Sequence, residues 1–204
     1  MSITLGIIIV TSLVSYMAFS RYDLMARFQF NVSRVLNDRQ YYRLISYSFL
    51  HGSWSHLLIN MFVLYSFGSA VEKSFSVWFG VKSNIIFFLL YFGAIVFCNL
   101  RALFKHRNNS DYNAVGASGG VSAVLFASIL FSPWRMIYFF GILPIPGIVF
   151  GFLYLYYSYY MDGKNRDNVA HDAHFLGAIF GFIYPIVVQP EILNRFLNEL
   201  MSIF

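Results

Sequence analysis

Charged side chains are scarce in this chain, since Asp, Glu, Lys and Arg together make up 11% of its 204 residues. Water-soluble domains carry about 25% of such residues, so the composition excludes an ordinary soluble domain and indicates several membrane spans. Cysteine is almost absent as well. The single Cys98 lies inside an apolar run, which excludes an intrachain disulfide and leaves the redox compartment open.

The excess of positive charge is small, with a net charge of +5. The Lys and Arg residues are confined to short loops and form no continuous patch. Attraction to the anionic headgroups of lipids therefore explains them more simply than nucleic-acid binding does. We expect the lipid bilayer as a partner and no nucleic acid.

Hydrophobic residues are abundant, at 58% of the chain, with 24 Phe and 15 Tyr. A membrane-spanning helix needs about 20 mostly apolar residues, and six stretches meet this requirement. The first of them has no positively charged start and no small-residue cleavage site, which indicates a retained span and not a signal peptide. We predict an all-α membrane protein with a single domain, residues 1–204, built as a bundle of six transmembrane helices. The predicted spans are residues 3–19, 54–71, 84–100, 115–131, 136–160 and 173–188.

Three further features refine this prediction. Span four is rich in Gly, Ala and Ser, which indicates a helix enclosed by other helices. Span five has two glycines and two prolines between residues 141 and 147, so we expect a kinked or broken helix. Residues 20–53 mix Arg with Leu, Val and Tyr, which favours a segment lying along the membrane interface over an ordinary folded loop. Glu72 is expected to end the second span.

The order of the spans places three chemically interesting positions at one face of the membrane. Two spans separate the start of span two from the start of span four, and two more separate the latter from the start of span six. All three starts therefore lie on the same side. They carry His56 with Asn60, Ser118, and His174. Polar and ionisable side chains are disfavoured in hydrocarbon, so this convergence predicts a function.

Ser118 and His174 suit nucleophilic catalysis, because a serine hydroxyl needs a nearby base to take its proton. Close approach of two helices needs small residues at the crossing point, and both spans supply them. No carboxylate is obviously placed to orient the histidine, although Asp172 is close in sequence, so we predict a Ser-His dyad. The small residues expected at the crossing are Gly116, Gly119, Gly120 and Ala123 in span four and Gly177 and Gly181 in span six.

Attack on an amide creates an oxyanion, which needs hydrogen-bond donors already in place. His56 and Asn60 are four residues apart and share one face of span two. Their side chains can both donate, and the backbone N–H of Ser118 can add a third donor at a helix start. Together these groups favour hydrolysis of a peptide bond inside the bilayer.

These residues resemble the rhomboid family of intramembrane serine proteases, and the resemblance covers nearly the whole chain. Three motifs match in order and spacing: His-x-x-x-Asn at residues 56–60, Gly-x-Ser-Gly at 116–119, and Ala-His-x-x-Gly-x-x-x-Gly at 173–181. Further matches to the family's first loop and second span are Tyr42, Arg43, Phe49, Leu50, His51, Leu57, Leu58, Ile59, Met61, Gly68 and Glu72.

The resemblance implies that Ser118 is the nucleophile, His174 the general base and acid, and His56 and Asn60 the lining of the oxyanion hole. It implies single-span membrane proteins as substrates, a fifth span that moves aside to admit them, and a loop at residues 161–169 that caps the site. No metal or other cofactor is expected. Some members stack a Tyr on the catalytic histidine one turn after the nucleophile. Here that position is Ser122, so support for the His174 ring must come from elsewhere.

The resemblance also implies a multi-pass protein of the cell (inner) membrane with its site toward the extracytoplasmic side. The distribution of basic residues taken alone predicts the reverse, because the loops on the site's side carry ten Lys and Arg and those on the other side four. Five of the ten belong to residues 20–53, which we expect at the interface, so we keep the family's orientation.

Each residue has a simpler explanation when it is taken alone. Ser118 can be a small packing residue, and His174 can cap a helix. His56 and Asn60 can hold two helices together through hydrogen bonds. A catalytically silent rhomboid-like factor that binds membrane proteins is the main alternative function. A transporter or channel is a second one, although the polar residues gather at one end of the bundle. His51 is expected to be structural.

Overall fold

The computed structural model describes residues 2–139, 141–162 and 170–202, and helices dominate this part of the chain. The helices are α1 (Ile3–Phe19), α2 (Tyr22–Phe28), α3 (Val32–Leu36), α4 (Arg43–Ser46), α5 (Trp54–Phe79), α6 (Ser83–Lys105), α7 (Ser118–Phe131), α8 (Gly147–Asp162), α9 (His171–Val188) and α10 (Glu191–Met201). Four short strands complete the description: β1 (Phe30–Asn31), β2 (Asn113–Ala114), β3 (Met136–Phe139) and β4 (Leu143–Pro146). The two strand pairs, β1 with β2 and β3 with β4, are both antiparallel.

Hydropathy separates the helices into two groups. Two continuous helical stretches among the described residues are long and apolar enough to cross a membrane, Trp54–Lys105 and His171–Val188. The first contains both α5 and α6, joined by the short turn Gly80–Lys82. The helices Ile3–Phe19 and Ser118–Phe131 are apolar but shorter.

The composition of α7 explains its central position. Thirteen of its fourteen residues are buried, with Ser118 as the exception. Gly and Ala remove the bulk that would keep neighbours away, so α5, α6 and α9 all pack directly against this helix. The prediction that other helices enclose this segment is confirmed; that it spans the membrane stays a prediction.

The predicted fifth span, residues 136–160, is wrong in its first half. Residues Met136–Phe139 and Leu143–Pro146 pair as a hairpin, with Met136 opposite Pro146 and Phe139 opposite Leu143. Proline lacks a backbone N–H and breaks the hydrogen bonding of a helix interior, and Gly141 adopts a positive φ of 72° in the connecting turn. The helix therefore begins only at Gly147, after the second proline.

Other predicted boundaries also shift. Helix α5 continues to Phe79 instead of ending at residue 71. Neither glycine nor proline lies between residue 71 and Gly80, where φ is +53° and the helix ends. Helix α6 covers Ser83–Lys105 and not 84–100, and α9 begins at His171, two residues before the predicted start. Helix α7 begins at Ser118 and not at 115, because Gly116 has a φ of +127°, outside the helical region.

Glu72 does not end the second span. It lies inside α5, and its Oε1 accepts a hydrogen bond of 2.7 Å from the backbone N–H of Thr4, in the first turn of α1. The first N–H groups of a helix have no partner inside the helix, and its N-terminus favours negative charge. The carboxylate therefore fastens the start of α1 to α5, at the level where Gly68 leaves room for Thr4.

Residues 20–53 fold into α2, α3, α4, β1 and a short turn at Tyr47–Phe49. Arg43 is 4% exposed and donates to the carbonyls of Ala26 and Gln29 at 3.1 and 2.6 Å. Phe30 pairs with Ala114 across β1 and β2, which ties this segment to the chain just before α7. Its position along the membrane interface stays a prediction.

The tight contact between α7 and α9 gives a test of the fold. A Cβ added at Gly181 would overlap the backbone of Ala123 in α7. Gly181→Ala is expected to lower the free energy of unfolding by about 1–3 kcal/mol, the usual cost of overpacking. The measurement is unfolding of the purified protein in mixed micelles by added denaturing detergent.

Gly151→Ala is the matched control, because its Cβ would meet Ile129 Cδ1 at 3.4 Å and Phe126 at 3.5 Å, which is ordinary contact. This variant is expected to be neutral or more stable by about 0.5–1 kcal/mol, the usual gain from removing a helical glycine. Equal stability of the two variants would contradict the close contact of α7 with α9.

Candidate active site

Ser118 is the first residue of α7, and the turn before it gives it this place. Gly116 takes a φ of +127°, which L side chains rarely adopt, and Ala117 then precedes the first helical residue. The first main-chain bond of the helix runs from Val121 N–H to Ala117 O at 3.0 Å. The N–H groups of the first turn, including that of Ser118, therefore have no partner within the helix.

His174 lies in the first turn of α9, with its N–H bonded to Ala170 O at 3.2 Å. A Cβ at Gly177 would overlap the backbone of Gly119, and the same holds for Gly181 against Ala123. The two helices thus touch backbone to backbone at two successive levels. The start of α9 is held from α6 as well, where the Cys98 thiol donates to Ala173 O at 3.1 Å.

A small cavity joins Ser118 to the start of α9. Its volume is about 20 Å³, and its lining includes Gly116, Ser118, Asp172 and Ala173. A volume above roughly 10–15 Å³ holds one water molecule when polar partners are present. Ser118 and the first turn of α9 therefore border one water-sized space.

His56 approaches this site from α5, and Asn60 lies one turn further along the same helix. The His56 ring lies so close to Gly116 that an added Cβ would be 2.8 Å from its Cε1. Asn60 is 6% exposed, and none of the described residues accepts a hydrogen bond from its Nδ2. A buried amide donor without an acceptor is costly, so it needs an explanation.

His51 forms a support behind His56. Ser15 donates its hydroxyl proton to Phe49 O at 2.8 Å, so its oxygen accepts from His51 Nδ1 at 2.9 Å. The His51 ring then meets the His56 ring edge to face, with centroids 4.9 Å apart. Burial, with a smaller contribution from His56, lowers the pKa of His51 to about 3. His51 is thus a neutral packing residue, as the sequence predicts.

Asp172 accepts a hydrogen bond from the N–H of Ala173 at 2.9 Å, which places its carboxylate at the N-terminus of α9. The neighbouring His171 ring meets the His174 ring edge to face at 5.9 Å. Residues 163–169 of the predicted cap, 161–169, lie outside the described residues.

The aromatic neighbour of His174 was not predicted from the sequence. Tyr154 of α8 stacks on the His174 ring, with centroids 6.2 Å apart and planes 22° from parallel. Its hydroxyl lies 2.6 Å from Ser122 Oγ. The only signal in the sequence was the serine at position 122, which requires support for His174 from another element.

The comparisons with known proteins fit this architecture. The Rhomboid domain model matches residues 38–191, and the chain belongs to the rhomboid family. RHOMBOID-like protein 12, mitochondrial, of Arabidopsis thaliana is 23% identical over 186 residues, which cover 86% of this chain and 55% of the relative. RHOMBOID-like protein 4 of Arabidopsis thaliana is 30% identical over 169 residues, with coverages of 79% and 38%.

Similarity extends to animals. Rhomboid-related protein 1 of Caenorhabditis elegans is 25% identical over 166 residues, which cover 78% of this chain and 43% of the relative. The chain spans about half the length of the curated relatives it matches, or less. Family membership together with the apolar helices identifies a membrane protein.

The neutral state of His51 makes stability depend on pH. Below about pH 6.5 the unfolded chain binds a proton at His51, whereas the folded protein resists this until about pH 3. The contribution of His51 to the free energy of unfolding therefore decreases as the pH falls, by up to about 1.4 kcal/mol per pH unit. His51→Gln is expected to remove this part of the slope of unfolding free energy against pH.

The range above pH 7 is the internal control, because His51 is neutral there in both the folded and the unfolded state. The difference in unfolding free energy between wild type and His51→Gln should be constant in that range. Parallel curves down to pH 4 would show that His51 does not resist protonation.

Proposed function

We propose that this protein is an intramembrane serine endopeptidase that hydrolyses peptide bonds in or near the transmembrane helices of membrane proteins. Ser118 and His174 form its dyad, and His56, Asn60 and the N–H of Ser118 line its oxyanion hole. Helices α1, α5, α6, α7, α8 and α9 form the six spans of the bundle. Single-span membrane proteins are the proposed substrates, and the reaction needs no cofactor.

The observation that carries this proposal is the backbone contact between α7 and α9. Gly119 and Gly177 touch, and a Cβ at Gly119 would lie 3.8 Å from Ala173 O. Ser118 and His174 are the sequence neighbours of Gly119 and Ala173, so the nucleophile and the base start from adjacent positions on two packed helices. Proton transfer between such groups needs about 2.6–3.2 Å between heavy atoms.

The reaction follows from these positions. His174 takes the proton of Ser118 Oγ as the oxygen attacks the carbonyl carbon of the scissile peptide bond. Negative charge develops on the carbonyl oxygen, where the Asn60 amide, His56 and the N–H of Ser118 can donate to it. His174 then gives its proton to the leaving amine, and the peptide C–N bond breaks. Water, with its proton taken by the same histidine, hydrolyses the resulting acyl ester and frees Ser118.

The side-chain amide of Asn60 supports the proposed oxyanion hole independently. Buried amides normally find an acceptor, and among the described residues this one has none. An oxyanion that exists only during the reaction would supply the missing partner. A donor kept for the transition state raises kcat without strengthening substrate binding.

We propose that the site faces the extracytoplasmic side of a cellular membrane. Three of the relatives carry the word mitochondrial or chloroplastic in their names, which describe those proteins. Of the ten basic residues on the site's side, Arg43 is buried and bonded to backbone carbonyls. Its charge serves the fold of residues 20–53, which weakens the positive-inside argument for the reverse orientation.

Covalent labelling of the nucleophile tests the dyad without knowledge of the substrate. A fluorophosphonate reacts with an activated serine, so wild-type protein in liposomes is expected to be labelled and Ser118→Ala to be unlabelled. His174→Ala should label at least about 100-fold more slowly, because a general base contributes about 10²–10⁴ to such reactions.

Ser128→Ala is the matched control, since Ser128 is a buried serine further along α7. It should be labelled like wild type. If wild type is as unlabelled as Ser118→Ala, the alternative function, a catalytically silent binding factor, is favoured.

The oxyanion assignment has its own test. Asn60→Ala is expected to lower kcat by about 10²–10³ with little change in KM, because the lost donor acts mainly in the transition state. The measurement is cleavage of a model single-span protein in liposomes. Asn99→Ala is the matched control, because the buried Asn99 already donates to Leu44 O at 2.9 Å and its loss should reduce stability instead. Normal kcat in Asn60→Ala would refute this role.

A further inference from the structure

Tyr154 contacts both helices that carry the proposed dyad. Its ring stacks on the ring of His174, with planes 22° from parallel. Its hydroxyl lies 2.6 Å from Ser122 Oγ, one helical turn after Ser118. Ser122 is 3% exposed, so this hydrogen bond is sheltered from water. One side chain therefore joins the base to the helix of the nucleophile.

This arrangement has the parts needed to hold a histidine ring. A stacked aromatic ring limits the rotation of its neighbour and favours offset, near-parallel geometry. The tyrosine is itself fixed at its far end by the hydrogen bond, and by Phe126 of α7, whose ring centroid lies 5.6 Å away. A hydrogen bond away from water is electrostatically stronger than one in it. The ring plane of His174 is thus set by a neighbour that is anchored to α7.

We propose that Tyr154 is a positioning residue that orients the His174 ring for proton transfer from Ser118, with Ser122 as its anchor. This inference rests on the proposed function, because it assigns a role within the same reaction. Tyr154 touches neither the nucleophile nor the scissile bond in this role and acts only through His174.

The position of Tyr154 on α8 adds a consequence. The buried residues of α8 are Gly147, Gly151 and Ser158, so most of this helix is partly or fully exposed. By contrast, thirteen of the fourteen residues of α7 are buried. Helix α8 is therefore held by less packing and shifts at lower cost. A shift of α8 would take the stacked ring away from His174 and slow the dyad.

The test compares variants at Tyr154 by their rate of fluorophosphonate labelling across pH, together with their thermal stability. Tyr154→Leu removes the ring and is expected to slow labelling by about tenfold or more, since small misplacements of reacting groups can cost 10²-fold. It should also move the midpoint of the pH profile, because the midpoint reports the base. Tyr154→Phe keeps the ring and should keep the wild-type midpoint.

Tyr156→Leu is the matched control, a tyrosine on the same helix that is 69% exposed and stacks on Tyr160. It should label like wild type at every pH. The inference is overturned if Tyr154→Leu labels at the wild-type rate. It is equally overturned if labelling slows with an unchanged pH midpoint, since a loss of folded protein would do the same.

A second pair of variants keeps the inference testable if Tyr154→Leu does not fold. Ser122→Ala and Tyr154→Phe remove the same hydrogen bond from its two ends. Each is expected to slow labelling by about threefold, and the double variant should be no slower than either, as coupled partners require. Wild-type rates in both single variants would overturn the anchor. Failure of the proposed function looks different, because wild type itself would then be as unlabelled as Ser118→Ala.

Discussion

The backbone of α7 lies directly against the backbone of α9, Gly119 against Gly177 and Ala123 against Gly181. Helices in a bilayer gain nothing from hiding apolar surface, because lipid tails are as apolar as leucine. Dispersion and close fit must hold them together, and both increase as the axes approach. The glycines thus stabilise the bundle and set the positions of Ser118 and His174 through one contact. A side chain at Gly177 or Gly181 would push α7 and α9 apart, and it would separate the two proposed catalytic groups at the same time.

Around this contact, several buried polar groups have structural partners. Arg43 bonds to backbone carbonyls, Asn99 donates to Leu44 O, and His51 bonds to Ser15. Such bonds offset the cost of removing polar atoms from water, and they fix residues 20–53 against the helices. The Asn60 amide nitrogen is buried and lacks an acceptor among the residues described, as do other buried side-chain atoms, including His51 Nε2 and Tyr91 Oη. What sets Asn60 apart is its place on α5 one turn after His56, whose ring lies against Gly116.

Much of the fold follows from hydropathy, and its limits are physical. Each of the six predicted apolar stretches overlaps one of the helices α1, α5, α6, α7, α8 and α9. Their ends were less accurate, because hydropathy detects what suits lipid and not where helical hydrogen bonding stops. Residues 136–146 show this best. Their apolar side chains suit a spanning helix as well as a strand, and only the prolines and Gly141 indicate the hairpin.

For the candidate site, the sequence predicted Ser118, His174, His56 and Asn60 from spacing and from a family resemblance. The contacts of Glu72 with Thr4 and of Tyr154 with His174 could not be predicted from the sequence. Each joins residues from distant parts of the chain, and neither has a local pattern. Tyr154 lies in an aromatic stretch of α8 in which neighbouring tyrosines look alike, so only packing distinguishes the one that faces the site.

The site therefore combines parts of different stiffness. The positions of the two main chains at Ser118 and His174 depend on α7 and α9, whose contact leaves no free space between backbones. The proposed orientation of the His174 ring depends on α8, in which three of sixteen residues are buried. Closely packed elements resist deformation, whereas a helix with few buried residues has less packing to lose and shifts at lower cost. The separation of the proposed nucleophile and base is thus set by the closely packed pair, and the alignment of the base depends on the less closely packed helix. The proposed function gains from this division, because α8 can shift to admit a substrate helix without separating Ser118 from His174.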